Sequence, residues 1–136
     1  MTQQSEQSTG HFTALGESGV NDIGGKLETF DAPEHVVDVK MTSDEVTAVC
    51  PVTGQPDYYT IVIHYTPNSK CIESKSLKLY FNKFRNEGIF CEALAARIAD
   101  DVMSAIEPVR VTVNVVQKSR GGISIDAEAY RDEHFG

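Results

Sequence analysis

The chain has 136 residues, a length that suits one domain burying roughly two-thirds of its unfolded surface. Its formal charge of −8 argues against a protein that grips nucleic acid through a broad basic face, so direct nucleic-acid binding is not expected. No apolar run approaches the ~18 residues of a membrane span, and no basic-then-apolar leader opens the chain; it reads as cytoplasmic and without membrane contact.

The opening "MTQQSEQSTG" is polar and poor in apolar residues, the composition of a disordered arm. From His11 to Glu34 the chain is glycine-rich with scattered anchors, Phe12, Leu15, Leu27 and Phe30, and is expected to lie extended over the domain. This divides the chain into an N-terminal extension, 1–33, partly disordered, and a main domain, 34–136. "HVVDVKM" (35–41) predicts a first strand and "YYTIVIHY" (58–65) a second, with turn chemistry in "TPNSK". In "ESKSLKLYFNKFRNEG", Leu77, Tyr80, Phe81 and Phe84 recur at i, i+3, i+4 and i+7, one face of a helix with Gly88 as its stop. A second helix is predicted from Cys91 to Ile106, with Leu94, Ile98, Val102 and Ile106 on one stripe and Pro108 barring continuation. In "VRVTVNVV" the valines at 109, 111, 113 and 115 alternate with Arg110, Thr112 and Asn114. "QKSRGG" turns the chain and "ISIDAEAY" alternates again. The order strand, strand, helix, helix, strand, strand is an α+β layout, an antiparallel sheet with helices on one face.

The chemistry gathers in four places. Cys50 runs into Pro51, which lacks an N–H and fixes its own φ, so the preceding strand must end or bend at the thiol. Asp57 follows the turn "TGQP" and can return to the same pocket, pairing a nucleophile with a proton donor. "ESKSLK" places Glu73, Ser74 and Lys75 where a helix opens; Ser74 can cap and Lys75 can meet a phosphate, and a capped helix with solvated lysines is the plainer account. "SRGG" is either a glycine turn or a loop whose backbone lies close to a ligand beside Arg120. Glu92 in the first turn of the second helix favours the helix dipole, or alternatively accepts two N–H donors from a 2-amino-4-oxo heterocycle.

Three cysteines, Cys50, Cys71 and Cys91, are odd in number and widely spaced, with no CxxC pair, which speaks against structural zinc and against a disulfide framework. A small buried apolar role suits Cys71 and suits Cys50 poorly. His64, alternating in a strand, reads as a satisfied sheet residue.

Together "CPVTGQPD", "ESKSLKLYFNKFRNEG", "FCEAL" and "RGGISID" resemble the NADPH-dependent 7-cyano-7-deazaguanine reductases, the nitrile reductases of queuosine biosynthesis, in their short single-module form. The similarity extends into "TALGES" and "LETFDAP". It implies the tunnelling fold, assembled into ring-shaped homo-oligomers with active sites between subunits, and NADPH as cofactor. By position, Cys50 matches the nucleophile that forms a covalent thioimide and Asp57 the proton donor to the nitrile nitrogen. Ile72, Glu73 and Ser74 match a substrate-binding strip, and Glu92 the carboxylate anchoring the deazapurine. Ser74, Lys75, Arg120 and Gly121 match positions contacting NADPH. Cys91, also at the implied substrate pocket, stands where the family usually has histidine. It puts in doubt whatever that imidazole assists, and it makes a Cys50–Cys91 disulfide conceivable. Two other readings share the residues: an amidine-forming relative acting on a nitrile already in nucleic acid, and a tunnelling-fold module that only binds a deazapurine.

Overall fold

The structure is a computed structural model that describes residues 25–134. The expected arm at 1–10 and the anchors Phe12 and Leu15 lie outside the described residues.

Strand β1 (Thr29–Asp31) pairs antiparallel with β4 (Lys70–Ile72), an edge pair the periodicity did not announce. The main sheet holds β2 (Val39–Val49), β3 (Pro56–Thr66), β5 (Arg110–Arg120) and β6 (Ile123–Asp132), antiparallel throughout and ordered β2-β3-β5-β6. Helices α1 (Ser74–Asn82) and α2 (Cys91–Ile106) pack on one face of it, as the α+β order implies.

The core lies between these layers because the strand alternation and the helix stripes point at each other. Tyr59, Ile61, Ile63 and Tyr65 of β3 and Val111, Val113 and Val115 of β5 are buried. They meet Leu94, Ile98, Val102 and Ile106 of α2, and Leu77, Tyr80, Phe81 and Phe84. Each such side chain is worth about 1.5–3 kcal/mol when fully buried, so the register of both helices is strongly fixed.

Four details depart from the sequence pattern. The first strand begins at Val39, not His35, because His35 adopts φ 74 in a turn that breaks the extended path. It then continues to Val49 through an irregularity between Ser43 and Val46 that absorbs the charged pair Asp44–Glu45. The first helix ends at Asn82 and tightens into a 3-10 turn at Lys83–Asn86, so Gly88 is no helix stop. Instead Gly88 bridges to Val49, flanked by Val49 N–H to the Glu87 carbonyl (3.0 Å) and Ile89 N–H to the Val49 carbonyl (3.1 Å). The cap of α1 is Glu73, not Ser74: its Oε1 accepts from the Ser76 N–H at 2.7 Å. Finally, β5 runs on to Arg120, leaving only Gly121 and Gly122, at φ 64 and 81, as the hairpin turn. Two successive positive φ values suit the right-handed twist of a two-residue hairpin and favour glycine at both positions.

Candidate active site

Loop 50–55 joins β2 to β3 and is closed by its own backbone. The Cys50 N–H donates to the Gln55 carbonyl at 2.8 Å, and the Gly54 N–H donates to the Cys50 carbonyl at 2.9 Å. Gly54 sits at φ 74. The strand does end at Val49, as Pro51 requires, leaving the Cys50 thiol half-buried at the sheet end. The Thr53 hydroxyl, followed by the Thr53 and Val52 amides, lowers that thiol from an ordinary 9.0 to about 7. Arg120 adds a smaller contribution in the same direction.

Asp57 enters β3 on its inward face and is only 6% exposed. Its charge is met by Arg120, whose Nη1 lies 2.7 Å from Oδ1. That oxygen nevertheless receives no aligned hydrogen bond: Nη1 also donates to the Pro56 carbonyl at 3.1 Å, and Nη2 reaches the Thr53 hydroxyl at 3.4 Å. We read the contact as an ion pair whose carboxylate keeps hydrogen-bonding capacity in hand. Arg120 thus ties the β5–β6 hairpin to the loop that carries Cys50.

Cys91 opens α2 beneath this end of the sheet, fully buried, its thiol 3.5 Å from the Val115 carbonyl. Burial, then the charge of neighbouring Glu92, pushes it up to about 11, so Cys50 and Cys91 are displaced in opposite directions. All three cysteines are free thiols. Cys71 is buried in β4 with its thiol raised by that burial, as its apolar reading implied. Glu92 stands exposed in the first turn of α2.

Two contributors escaped the sequence reading. The sequence marks Thr53 only as turn material, although a hydroxyl three residues after a cysteine on a tight turn is placed to donate to it. Tyr59, two residues past Asp57 on the same strand face, is wholly buried. Its hydroxyl reaches Gln117 Oε1 at 3.3 Å, and burial, then Asp57, Cys91 and Cys50, hold it above the ordinary tyrosine range. A rim of exposed apolar side chains surrounds the same end: Val52, Tyr58, Phe90 and Ile123.

The other expected residues lie elsewhere. Ile72 is tied by its N–H to the Tyr65 hydroxyl at 3.0 Å, and Glu73 donates its N–H to the Glu28 carbonyl at 2.9 Å. Asp57 and Tyr65 stand toward opposite ends of β3, roughly 27 Å apart at the usual antiparallel rise. One chain therefore brings together Cys50, Asp57, Cys91, Glu92, Arg120 and Gly121, and sets Ile72, Glu73, Ser74 and Lys75 apart. Ser74 borders a separate shallow groove with Met41, Thr42, Leu77 and Lys78.

Comparison with known proteins decides what this arrangement belongs to. A family model described as QueF-like protein matches residues 56–134, more than half of the chain. A protein of Frankia casuarinae named NADPH-dependent 7-cyano-7-deazaguanine reductase is 47% identical over 108 residues, covering 79% of this chain and 86% of its own length. Proteins of the same name from Rhodopirellula baltica (48% over 100 residues; 72% of this chain, 83% of theirs) and Chlorobium phaeovibrioides (47% over 100; 72% and 86%) agree. The chain belongs to the 7-cyano-7-deazaguanine reductase family. The fold of this chain is echoed in a solved structure titled archaeosine synthase QueF-Like in the apo form. It superposes with TM-score 0.66 over 73% of this chain and 94% of the other, at 22% identity, a likeness of fold. The segment matched by the QueF-like family model begins with the strand that carries Asp57 and takes in both helices and the Arg120 hairpin.

Proposed function

We propose that this chain reduces the nitrile of 7-cyano-7-deazaguanine to the aminomethyl group with NADPH, in queuosine modification of tRNA, as a cytoplasmic enzyme. The observation that carries the reading is one loop: a thiol lowered to about 7 at the same sheet end as a buried carboxylate. A thiolate is the nucleophile a nitrile carbon requires, and the nitrogen gains basicity as the carbon–sulfur bond forms. Cys50 Sγ adds to that carbon while Asp57, at the same sheet end, takes up the proton the thiol gives up and passes it to the nitrogen, giving a thioimide on Cys50. Thr53 and the loop amides hold the thiolate ready, and Glu92 accepts the N–H edge of the heterocycle.

The donor set fits a phosphate-bearing nicotinamide cofactor. Arg120 is a half-exposed guanidinium, and open space lies where a Cβ would stand at Gly121 and Gly122. Ser74 and Lys75 add a hydroxyl and an ammonium at a helix start. Bound there, NADPH supplies hydride, twice per nitrile because a nitrile lies two hydrides from an amine.

The strip Ile72–Lys75 cannot reach Cys50 of its own chain, so the complete site uses the strip of a second copy. The apolar rim around Cys50 and the edge of β6, which pairs with no further strand among the described residues, favour such self-association. No helix of the described residues is long and apolar enough to cross a membrane. The decisive test incubates the purified chain with the nitrile and then with NADPH. A covalent adduct on Cys50 by intact mass, then oxidation of two NADPH per nitrile, is expected; Cys50→Ala gives neither. A folded protein that oxidises no NADPH with the nitrile present, or that makes an amidine from ammonia instead, overturns the reading.

A further inference from the structure

We propose that Asp57 and the cofactor compete for the same guanidinium, so that Arg120 couples cofactor occupancy to release of the Asp57 carboxylate. The inference rests on the reading of Arg120 as a cofactor residue. Its own basis is the geometry around that side chain. Arg120 stands at the last position of β5, directly before Gly121–Gly122, with its backbone on the hairpin and its head turned back across the sheet end. The head is fully engaged within the chain, meeting Asp57 Oδ1 at 2.7 Å, the Pro56 carbonyl at 3.1 Å and the Thr53 hydroxyl at 3.4 Å. A guanidinium presents its donors in one rigid plane, so turning that fork to a phosphate withdraws it from these partners.

The partners are unequal. Asp57 is 6% exposed while Arg120 is 38% exposed, so the carboxylate is the fixed member and the arginine the one that can turn outward. The pairing is also imperfect, because Oδ1 has a charge beside it without a directed donor. Such a contact favours Arg120 staying in, yet yields to an anion that offers the fork two aligned acceptors. When Arg120 leaves, Oδ1 is open to the nitrile nitrogen. One oxygen cannot pair closely with the guanidinium and serve that nitrogen at once.

Coupling between two sites is reciprocal in binding free energy. If the cofactor must take Arg120 away from Asp57, then removing the charge of Asp57 must tighten the cofactor. The result runs against the usual expectation that losing an active-site residue weakens binding. The test is direct titration of NADP+ into the full chain by calorimetry at fixed low salt, with no turnover involved. Asp57→Asn, which keeps shape and loses charge, is expected to bind NADP+ about fivefold tighter, the yield of breaking one partly exposed ion pair. Arg120→Ala is expected to bind more weakly, and Asp57→Asn/Arg120→Ala to match Arg120→Ala alone. Asp126→Asn, on neighbouring β6 where it accepts from Asn114, removes equal charge without touching Arg120 and is expected to leave NADP+ affinity within twofold of the parent.

Equal or weaker binding by Asp57→Asn, with Arg120→Ala still impaired, overturns the competition and leaves the cofactor role of Arg120 standing. Unchanged binding by Arg120→Ala overturns both. Tightening by Asp126→Asn to the same degree as Asp57→Asn shows a general charge effect and also overturns the competition. Asp57→Ser provides a second neutral variant should the asparagine disturb the fold.

Discussion

Removing the Thr53 hydroxyl is the sharpest way to ask whether the loop activates Cys50. Valine keeps the side-chain volume and the loop retains the Cys50–Gln55 and Gly54–Cys50 backbone bonds, while the Gln55 N–H and Arg120 Nη2 lose the hydroxyl they donate to. That hydroxyl is the largest contributor to the Cys50 shift from 9.0 to about 7. Its loss is expected to move the midpoint to about 8, cutting the thiolate at pH 7 from about half to about a tenth. A more basic thiolate is also intrinsically more reactive, by about threefold per unit of basicity. The two effects oppose each other, so the rate at pH 7 falls only about twofold while the alkaline plateau rises about threefold. The midpoint, not the rate at one pH, is therefore the quantity to read. It is obtained from exchange with a small chromogenic disulfide between pH 5 and 10, with modification of Cys50 confirmed by peptide mass. Thr53→Ser keeps the donor and should keep the parental midpoint. A parent midpoint near 9, or a Thr53→Val midpoint unchanged at about 7, refutes the assignment of activation to this loop.

Cys91 gives a prediction with the opposite sign. Its folded value, about 11, lies above an ordinary 9.0, so its contribution to stability is complete below about pH 9 and is lost as pH rises towards 11. Denaturant titrations from pH 8.5 to 11 should show a shallower decline for Cys91→Ala than for the parent; the buried tyrosines supply the remaining slope. At the hairpin, Gly122 has φ 81 and nothing within contact of a new Cβ, so Gly122→Ala meets backbone strain alone. A stability loss of about 1–2 kcal/mol is expected by denaturant melt, and a neutral result would remove the left-handed turn. Glu73→Gln and Cys50→Ala are each expected to be inactive. Equal amounts unfolded and refolded together should recover about a quarter of parental activity, the share of random pairings that unite an intact thiol with an intact strip. No recovery in mixed assemblies of parental size would place both residues in one chain's site.

Much of this architecture was legible because apolar periodicity is a statement about which face is buried. Leu77, Tyr80, Phe81 and Phe84 and the α2 stripe all lie in the core, and β5 buries Val111, Val113 and Val115. Val109 kept the alternation but lies outside the strand and exposed, because β5 begins at Arg110. The continuation of β2 was hidden by Asp44 and Glu45, charges that mimic a loop when they fall at a strand irregularity. At the site, Cys50–Pro51 and the return of Asp57 were readable from local turn chemistry. The Arg120–Asp57 contact was not, since it joins residues brought together only by the β3–β5 pairing. The separation of Ile72–Lys75 from Cys50 was equally hidden, because motifs close in sequence order carry no measure of strand length.

That separation has a consequence for how the protein behaves as a population. Strand β3 holds Asp57 near one end and, through Tyr65, the segment Ile72–Lys75 at the other. If the complete site is shared between copies, as proposed, a chain so built owns half of two sites and the whole of none. Specific activity then reports association, falling on dilution below the dissociation constant of the assembly and returning on concentration. In such an assembly a lesion in one subunit would not be private to it: a damaged thiol would silence one pocket and a damaged strip the next, so a minority of defective chains would disable more pockets than its own number.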